Sequence, residues 1–337
     1  MTMTIELLVR GADPVADQQT SVPDAEFAQR LLEEILSTPS QRSFVRREKA
    51  LSSVLAGVLV IVVLASVLFS NLGGQSTPAA AAVLLRLSTV AAKLPAVEAP
   101  LASQYQYSNS LALTSVEWVY RTNFPYFVNY VSQRQSWVSP NGSGRLLQTW
   151  SDPTFPTPHD LQNWMRSGSH PLAQAPIDQK SGPGTLENTP TDLWNLPTSP
   201  SKLMALIVSR KIEYGPPGTR EDFVQVGDLL PDTDAPPGVR SALFQVAAQI
   251  PGVELLGTTK DHLGRTGIAL AYPEAPADRT LGSKGLYELI FDPKTSVLLG
   301  NETVAINATT GAHTILNWTS YVASAVVNST TDVVPNG

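Results

Sequence analysis

Between Lys49 and Arg86 the chain carries no charged residue, and from Leu51 to Phe69 its only polar side chains are Ser52, Ser53 and Ser66. Twenty helical residues rise about 30 Å, the thickness of a bilayer's hydrocarbon core. A soluble core helix is normally shorter or carries a polar stripe. A cleavable secretory signal has a shorter apolar region near the N-terminus, whereas 49 residues precede this one. The small residues Ala79, Ala80 and Ala81 lie too far beyond the run to serve as its cleavage site. The reading preferred over both alternatives is a single transmembrane helix within residues 50–71. Arg42, Arg46, Arg47 and Lys49 crowd its N-terminal side, and no cation follows until Arg86. The positive-inside rule then places residues 1–49 in the cytoplasm and the C-terminal part outside, at the cell membrane. The same four cations stand where they could meet anionic headgroups.

The cytoplasmic segment holds one stretch with helical spacing. In "PDAEFAQRLLEEIL", residues 23–36, Phe27, Leu31 and Ile35 share a face, with Pro23, Asp24 and Glu26 suited to a first turn. So short a helix is marginal alone and gains most by docking on a protein partner. A tail without a specific role is the equal alternative.

Residues 72–78 read as a linker, and 79–337 as an extracytoplasmic domain. Thr77 and Pro78 suit the start of a helix reaching about Leu94. Alternation then takes over at Val116, Trp118 and Tyr120, and again from Phe127 to Trp137. "SPNGSG" is a hairpin signal before "RLLQTW". From Ser151 to Pro200 the Pro, Ser, Thr and Gly content predicts a long loop. Three short helices follow, in "SPSKLMALIVSRK", "TREDFVQVGDLL" and "PPGVRSALFQVAAQI". Strands return in "GVELLGTT", "TGIALAY", "LYELIFD", "SVLLGNETVAI" and "HTILNWTSYVASAVV". This order predicts an α+β fold: a curved antiparallel sheet with helices on one face, preceded by the transmembrane helix.

Half of the 24 aromatic residues lie between Tyr105 and Trp164. Sheet core is their ordinary role. The functional alternative is an apolar ligand wall formed by Trp118, Tyr120, Tyr130, Trp137 and Trp150.

Other features exclude more than they suggest. With no cysteine there is no disulfide, thiolate metal site or thiol nucleophile. A net charge of -6 gives no basic footprint for nucleic acid. Ser199-Pro200-Ser201-Lys202 has the serine–lysine spacing of penicillin-recognising enzymes, but its companion motifs are missing and it reads as a helix start. His159, His170, His262 and His313 are scattered without metal spacing. Asp261 and Arg265 are placed to pair across a turn. No enzyme activity, cofactor or metal is expected. Five glycosylation-type sequons, at Asn141, Asn301, Asn307, Asn317 and Asn328, are explained by Asn/Thr alternation in strands. The lack of cysteine argues against a eukaryotic ectodomain and for a bacterial envelope.

The blocks "GVRSALFQVAAQIPGVELLG", "DHLGRTGIAL" and "LIFDPKTSVLLG", with "LPTSPSKLMALI" and "QYQYSNS" before them, resemble a family of uncharacterised actinobacterial single-pass membrane proteins. The resemblance spans most of residues 84–305. Family members are often encoded beside extracytoplasmic-function sigma factors, which implies a regulatory role with a sigma factor as cytoplasmic partner. The order of elements is also similar to the lipoprotein-carrier (LolA-like) fold, which implies an apolar envelope ligand as the alternative. One departure is Ser296, where "DPKTS" calls for a turn glycine.

Overall fold

A computed structural model describes residues 76–95, 98–118, 123–186, 190–209, 219–231, 235–274, 284–307 and 309–334. Its body is one nine-stranded sheet in the order β4-β3-β2-β1-β9-β8-β7-β6-β5, antiparallel throughout. The strands are β1 (Tyr105–Trp118), β2 (Tyr126–Val138), β3 (Gly144–Trp150), β4 (Ile177–Ser181), β5 (Glu254–Lys260), β6 (Thr266–Glu274), β7 (Lys284–Phe291), β8 (Leu298–Ile306) and β9 (His313–Val327). Two meanders, β1–β4 and β5–β9, are joined where the first strand pairs with the last. The helices are α1 (Pro78–Ala92), α2 (Pro158–Arg166), α3 (Pro190–Trp194), α4 (Pro200–Ser209), α5 (Thr219–Leu229) and α6 (Pro237–Ala247).

This architecture corrects the expected fold class. The described residues are dominated by a large antiparallel sheet, and their helices are few and short. They do not form a layer across the sheet: α1, α4, α5 and α6 gather over the β5–β8 half, and α2 packs separately on β2. The underestimate of strand has a physical source. β1 begins at Tyr105, and its Ser, Asn and Thr residues mute the apolar alternation that marks a half-buried strand. The stretch expected to be loop supplies α2, β4 and α3. Among the described residues no helix is long and apolar enough to cross a membrane. The transmembrane helix expected within residues 50–71 lies outside the described residues, as does the 23–36 helix.

Local signals explain most elements. The Thr77 side chain caps α1 by accepting from the Ala80 N–H, with Pro78 following. Thr157 and Asp160 form a capping box on α2. Alternation in β6 and β7 sends Ile268, Leu270, Leu289 and Phe291 to the helix-covered face, where they join Leu84, Leu87, Leu243 and Phe244 in one continuous apolar cluster. Phe244 meets Phe291 edge to face at 5.3 Å. The opposite face receives Ala269, Ala271, Ile290 and Leu299. Ser88 and Ser241 satisfy each other at 2.9 Å where α1 crosses α6, and Gln245 donates to Ser88.

Candidate functional site

The sheet separates the residues predicted to form an apolar wall. Trp118 pairs with Tyr126, and Trp150 with Ser132, so Trp118, Tyr126, Tyr130 and Trp150 share the face that α2 covers. Trp118 stacks on Tyr126 at 6.2 Å, and Tyr130 meets Trp150 edge-on at 6.2 Å. Phe155 and Trp164 close the cluster. Trp137 is seven residues beyond Tyr130, an odd step, and therefore faces the other way. It packs on Tyr107, and its indole N–H donates to the Asp332 carbonyl at 2.7 Å. Tyr120 lies outside the described residues, as do Arg42, Arg46, Arg47, Lys49, Phe27, Leu31 and Ile35. Inside the cluster, Trp118 Nε1 and Tyr130 Oη are buried with no hydrogen-bond partner.

A second constellation sits on the sheet face away from the helices, and sequence reasoning missed it. Glu288 of β7 and Glu302 of β8 are direct cross-strand partners. Their Cβ atoms are therefore about 5 Å apart, and like charges at that spacing repel. Glu288 is 9% exposed. Burial first, and the Glu302 charge second, push its carboxyl up to about 8. His262, in the β5–β6 turn, folds over this pair. Its ring stacks on Trp318 at 4.3 Å, and its Nε2 lies 3.2 Å from a Glu302 oxygen without the alignment of a hydrogen bond. The turn is held by Asp261, 1% exposed, which accepts from the Leu263 and Arg265 N–H groups and from the Arg265 guanidinium. Arg265 also donates to the Leu299 carbonyl on β8.

The two glutamates were visible in the sequence as lone acids in apolar strands. Their pairing was not. A register shift between Ile290 and Phe291 displaces the ladder by one residue. Counting back from the turn without it puts Asn301, not Glu302, opposite Glu288.

The chemistry available here is proton holding. A carboxyl kept neutral at pH 7 beside a second carboxylate can share a proton with it. Among the described residues no group of three or more His, Asp or Glu side chains is arranged to hold a metal ion. Ser199 to Lys202 begin α4, where the Leu203 N–H donates to the Ser199 carbonyl. All five sequon asparagines have structural work. The Asn141, Asn307, Asn317 and Asn328 carbonyl oxygens accept hydrogen bonds, and the Asn301 amide donates to Tyr321.

Fold and site together define a single-sheet antiparallel β protein with helices packed on part of one face. No family model and no curated protein matches the chain.

Proposed function

We propose that this is a non-enzymatic regulatory or sensor protein held at the cell membrane, with residues 1–49 cytoplasmic and the sheet domain extracytoplasmic. One observation carries the choice over a lipid carrier. The helix-covered sheet face, where a carrier would lodge an apolar cargo, is occupied by the protein's own side chains, including Phe223, Leu243, Phe244 and Phe291, each 1% exposed or less. A filled interior leaves surfaces as the means of recognition. The cations ahead of the 51–69 run and the apolar Phe27–Leu31–Ile35 spacing support a tail that contacts a cytoplasmic partner. The resemblance to proteins encoded beside sigma factors makes a sigma factor the first partner to try.

Two measurements test this reading. The chain has no cysteine, so Ala175→Cys, in an exposed loop, gives a single label site. An impermeant maleimide should label it in intact cells, and labelling only after lysis refutes the topology. The Phe27→Ala, Leu31→Ala, Ile35→Ala chain should lose co-purification with the sigma factor and change transcription from its promoters. No change in either refutes the regulatory reading.

A binding module for an apolar ligand is the second reading. The unpartnered Trp118 Nε1 and Tyr130 Oη in an aromatic cluster favour it, since both could donate to a ligand oxygen. Native mass spectrometry of the full chain in detergent should then show a stoichiometric small molecule, lost in Tyr130→Phe.

A further inference from the structure

The two edges of the sheet differ. β5 is bent by the irregularity between Leu255 and Gly257, and α1 packs against it. β4 is regular. Ile177–Ser181 pairs with β3 without a shift, and residues 173–180 are exposed throughout. Alternation decides which of its backbone groups point outward. The Ser139 N–H donates to the Ser143 carbonyl and the Ser151 N–H to the Val131 carbonyl, so the odd-numbered residues of β3 bond β2. Gly144, Leu146 and Gln148 therefore bond Ser181, Gln179 and Ile177 of β4. The N–H and C=O groups of Asp178 and Lys180 are left pointing away from the sheet.

The side chains of the same two residues carry opposite charges. Two positions apart, they share one face, that of their cross-strand partners Leu147 and Arg145. Each Asp178 oxygen takes one bond from Arg145 at 2.8 Å, yet the side chain stays 52% exposed, open to a second cation. Lys180 forms no ion pair among the described residues.

We infer that β4 is the docking edge for a second copy of this chain, the two β4 strands pairing antiparallel about a two-fold axis at Gln179. That register sets Asp178 of each copy opposite Lys180 of the other. These are the residues whose backbone groups point outward, so charge and backbone hydrogen bonding are satisfied together. Sliding by two residues is the smallest step that keeps the backbone bonds. In one direction it sets Asp178 against Asp178, in the other Lys180 against Lys180, and both repel. A lysine on an edge strand ordinarily deters pairing. Here its counter-charge is supplied by the same strand of the other copy. The axis runs normal to the sheet, so both copies keep their helix-covered face, and with it α1, on the same side. Two chains held in one membrane can therefore pair this way, although the inference does not rest on the membrane reading.

The test uses the full chain in mild detergent, which has no cysteine of its own. Gln179→Cys places two thiols on the axis with Cα atoms about 4.5 Å apart, within disulfide reach. Ile177→Cys has the same strand, face and exposed setting, but its Cα lies more than about 13 Å from that of the other copy. Under copper-catalysed air oxidation, Gln179→Cys should give a disulfide-linked dimer at least about tenfold faster than Ile177→Cys. Lys180→Asp leaves the Arg145–Asp178 pair in place but sets carboxylate against carboxylate, and should suppress the Gln179→Cys crosslink. Adding Asp178→Lys should restore it, because the exchanged charges are again complementary and a carboxylate stands opposite Arg145. Urea unfolding followed by tryptophan fluorescence checks that each variant is folded. Equal crosslinking at positions 177 and 179, or none at 179 in the folded chain, overturns the inference. A crosslink that survives Lys180→Asp, or that the charge exchange fails to restore, overturns it too. Each of these results leaves the membrane reading where it stood.

Discussion

Glu288→Gln should remove most of the alkaline sensitivity of folding. The Glu288 carboxyl is raised from 4.5 to about 8, with burial the larger cause and the Glu302 charge the smaller. The folded state therefore holds this proton more tightly than the unfolded chain does. Its stabilising contribution is complete below about pH 4.5, falls as pH rises through the interval, and is gone above about pH 8. A gap of about three and a half pH units, at about 1.4 kcal/mol each, amounts to about 5 kcal/mol. That is a large share of the ~5–15 kcal/mol that holds a typical domain folded.

The most telling window is pH 6 to 8. Asp228, raised to about 6 by burial and then by Glu221, titrates below it, and its exposure to solvent weakens any effect on stability. Across this window the wild-type chain should lose about 2–3 kcal/mol, a drop of about 1 M in the urea midpoint for an m-value near 3 kcal/mol/M. Gln keeps the shape of Glu and cannot ionise. The Glu288→Gln midpoint should stay nearly level from pH 6 to 8 and exceed wild type at pH 8. Glu302→Gln removes only the smaller cause, so most of the slope should remain. Equilibrium urea unfolding of the full chain, followed by tryptophan fluorescence at several pH values, provides the measurement. A flat wild-type midpoint, or a Glu288→Gln slope equal to wild type, refutes the reasoning.

Substitutions at three further positions probe how tightly the sheet is specified. Gly144→Ala would put a Cβ 1.9 Å from the Trp137 carbonyl oxygen, so β2 and β3 must part; a loss of at least about 3 kcal/mol is expected by chemical denaturation. Ser296 holds φ at 55° while fully buried, and its carbonyl accepts from Arg240 on α6 at 3.0 Å. Ser296→Gly relieves the backbone but forfeits the hydroxyl bond to Thr295, so it should stay within about 1 kcal/mol of wild type, whereas Ser296→Val should lose more than about 2 kcal/mol in the same assay. Phe244→Ala empties the centre of the α6–sheet contact and should lower stability by about 3–5 kcal/mol, read from the shift in urea midpoint.

What could be read in advance was what a short window determines. The hairpin at Ser139–Gly144 is set by Asn141, which accepts from the Ser143 N–H, and by Gly142 at positive φ. The Asp261 turn and the Thr77–Pro78 start of α1 are equally local. β4 was missed because Ile177–Ser181 is a polar edge strand; Arg145, paired with Asp178 at 2.8 Å, helps to fasten it to β3. Of the aromatic residues expected to form a wall, Trp118, Tyr130 and Trp150 come together, and parity alone sets Trp137 on the other face. The glutamate pair needed more than parity. A slip of one residue exchanges the two faces of a strand, and such shifts occur at Leu255/Gly257, Asn109/Ser110, Ile290/Phe291 and Thr303/Val304. On the β7 side, Phe291 has to meet Phe244 on the helix-covered face while Ile290 meets Ala269 and Leu299 on the other. Alternation along β7 alone serves both contacts; the extra residue is Leu299 on β8, which has no partner on β7, and it brings Glu302 opposite Glu288. The proton-holding pair thus depends on one extra residue in β8, between two strands whose register no local motif announces.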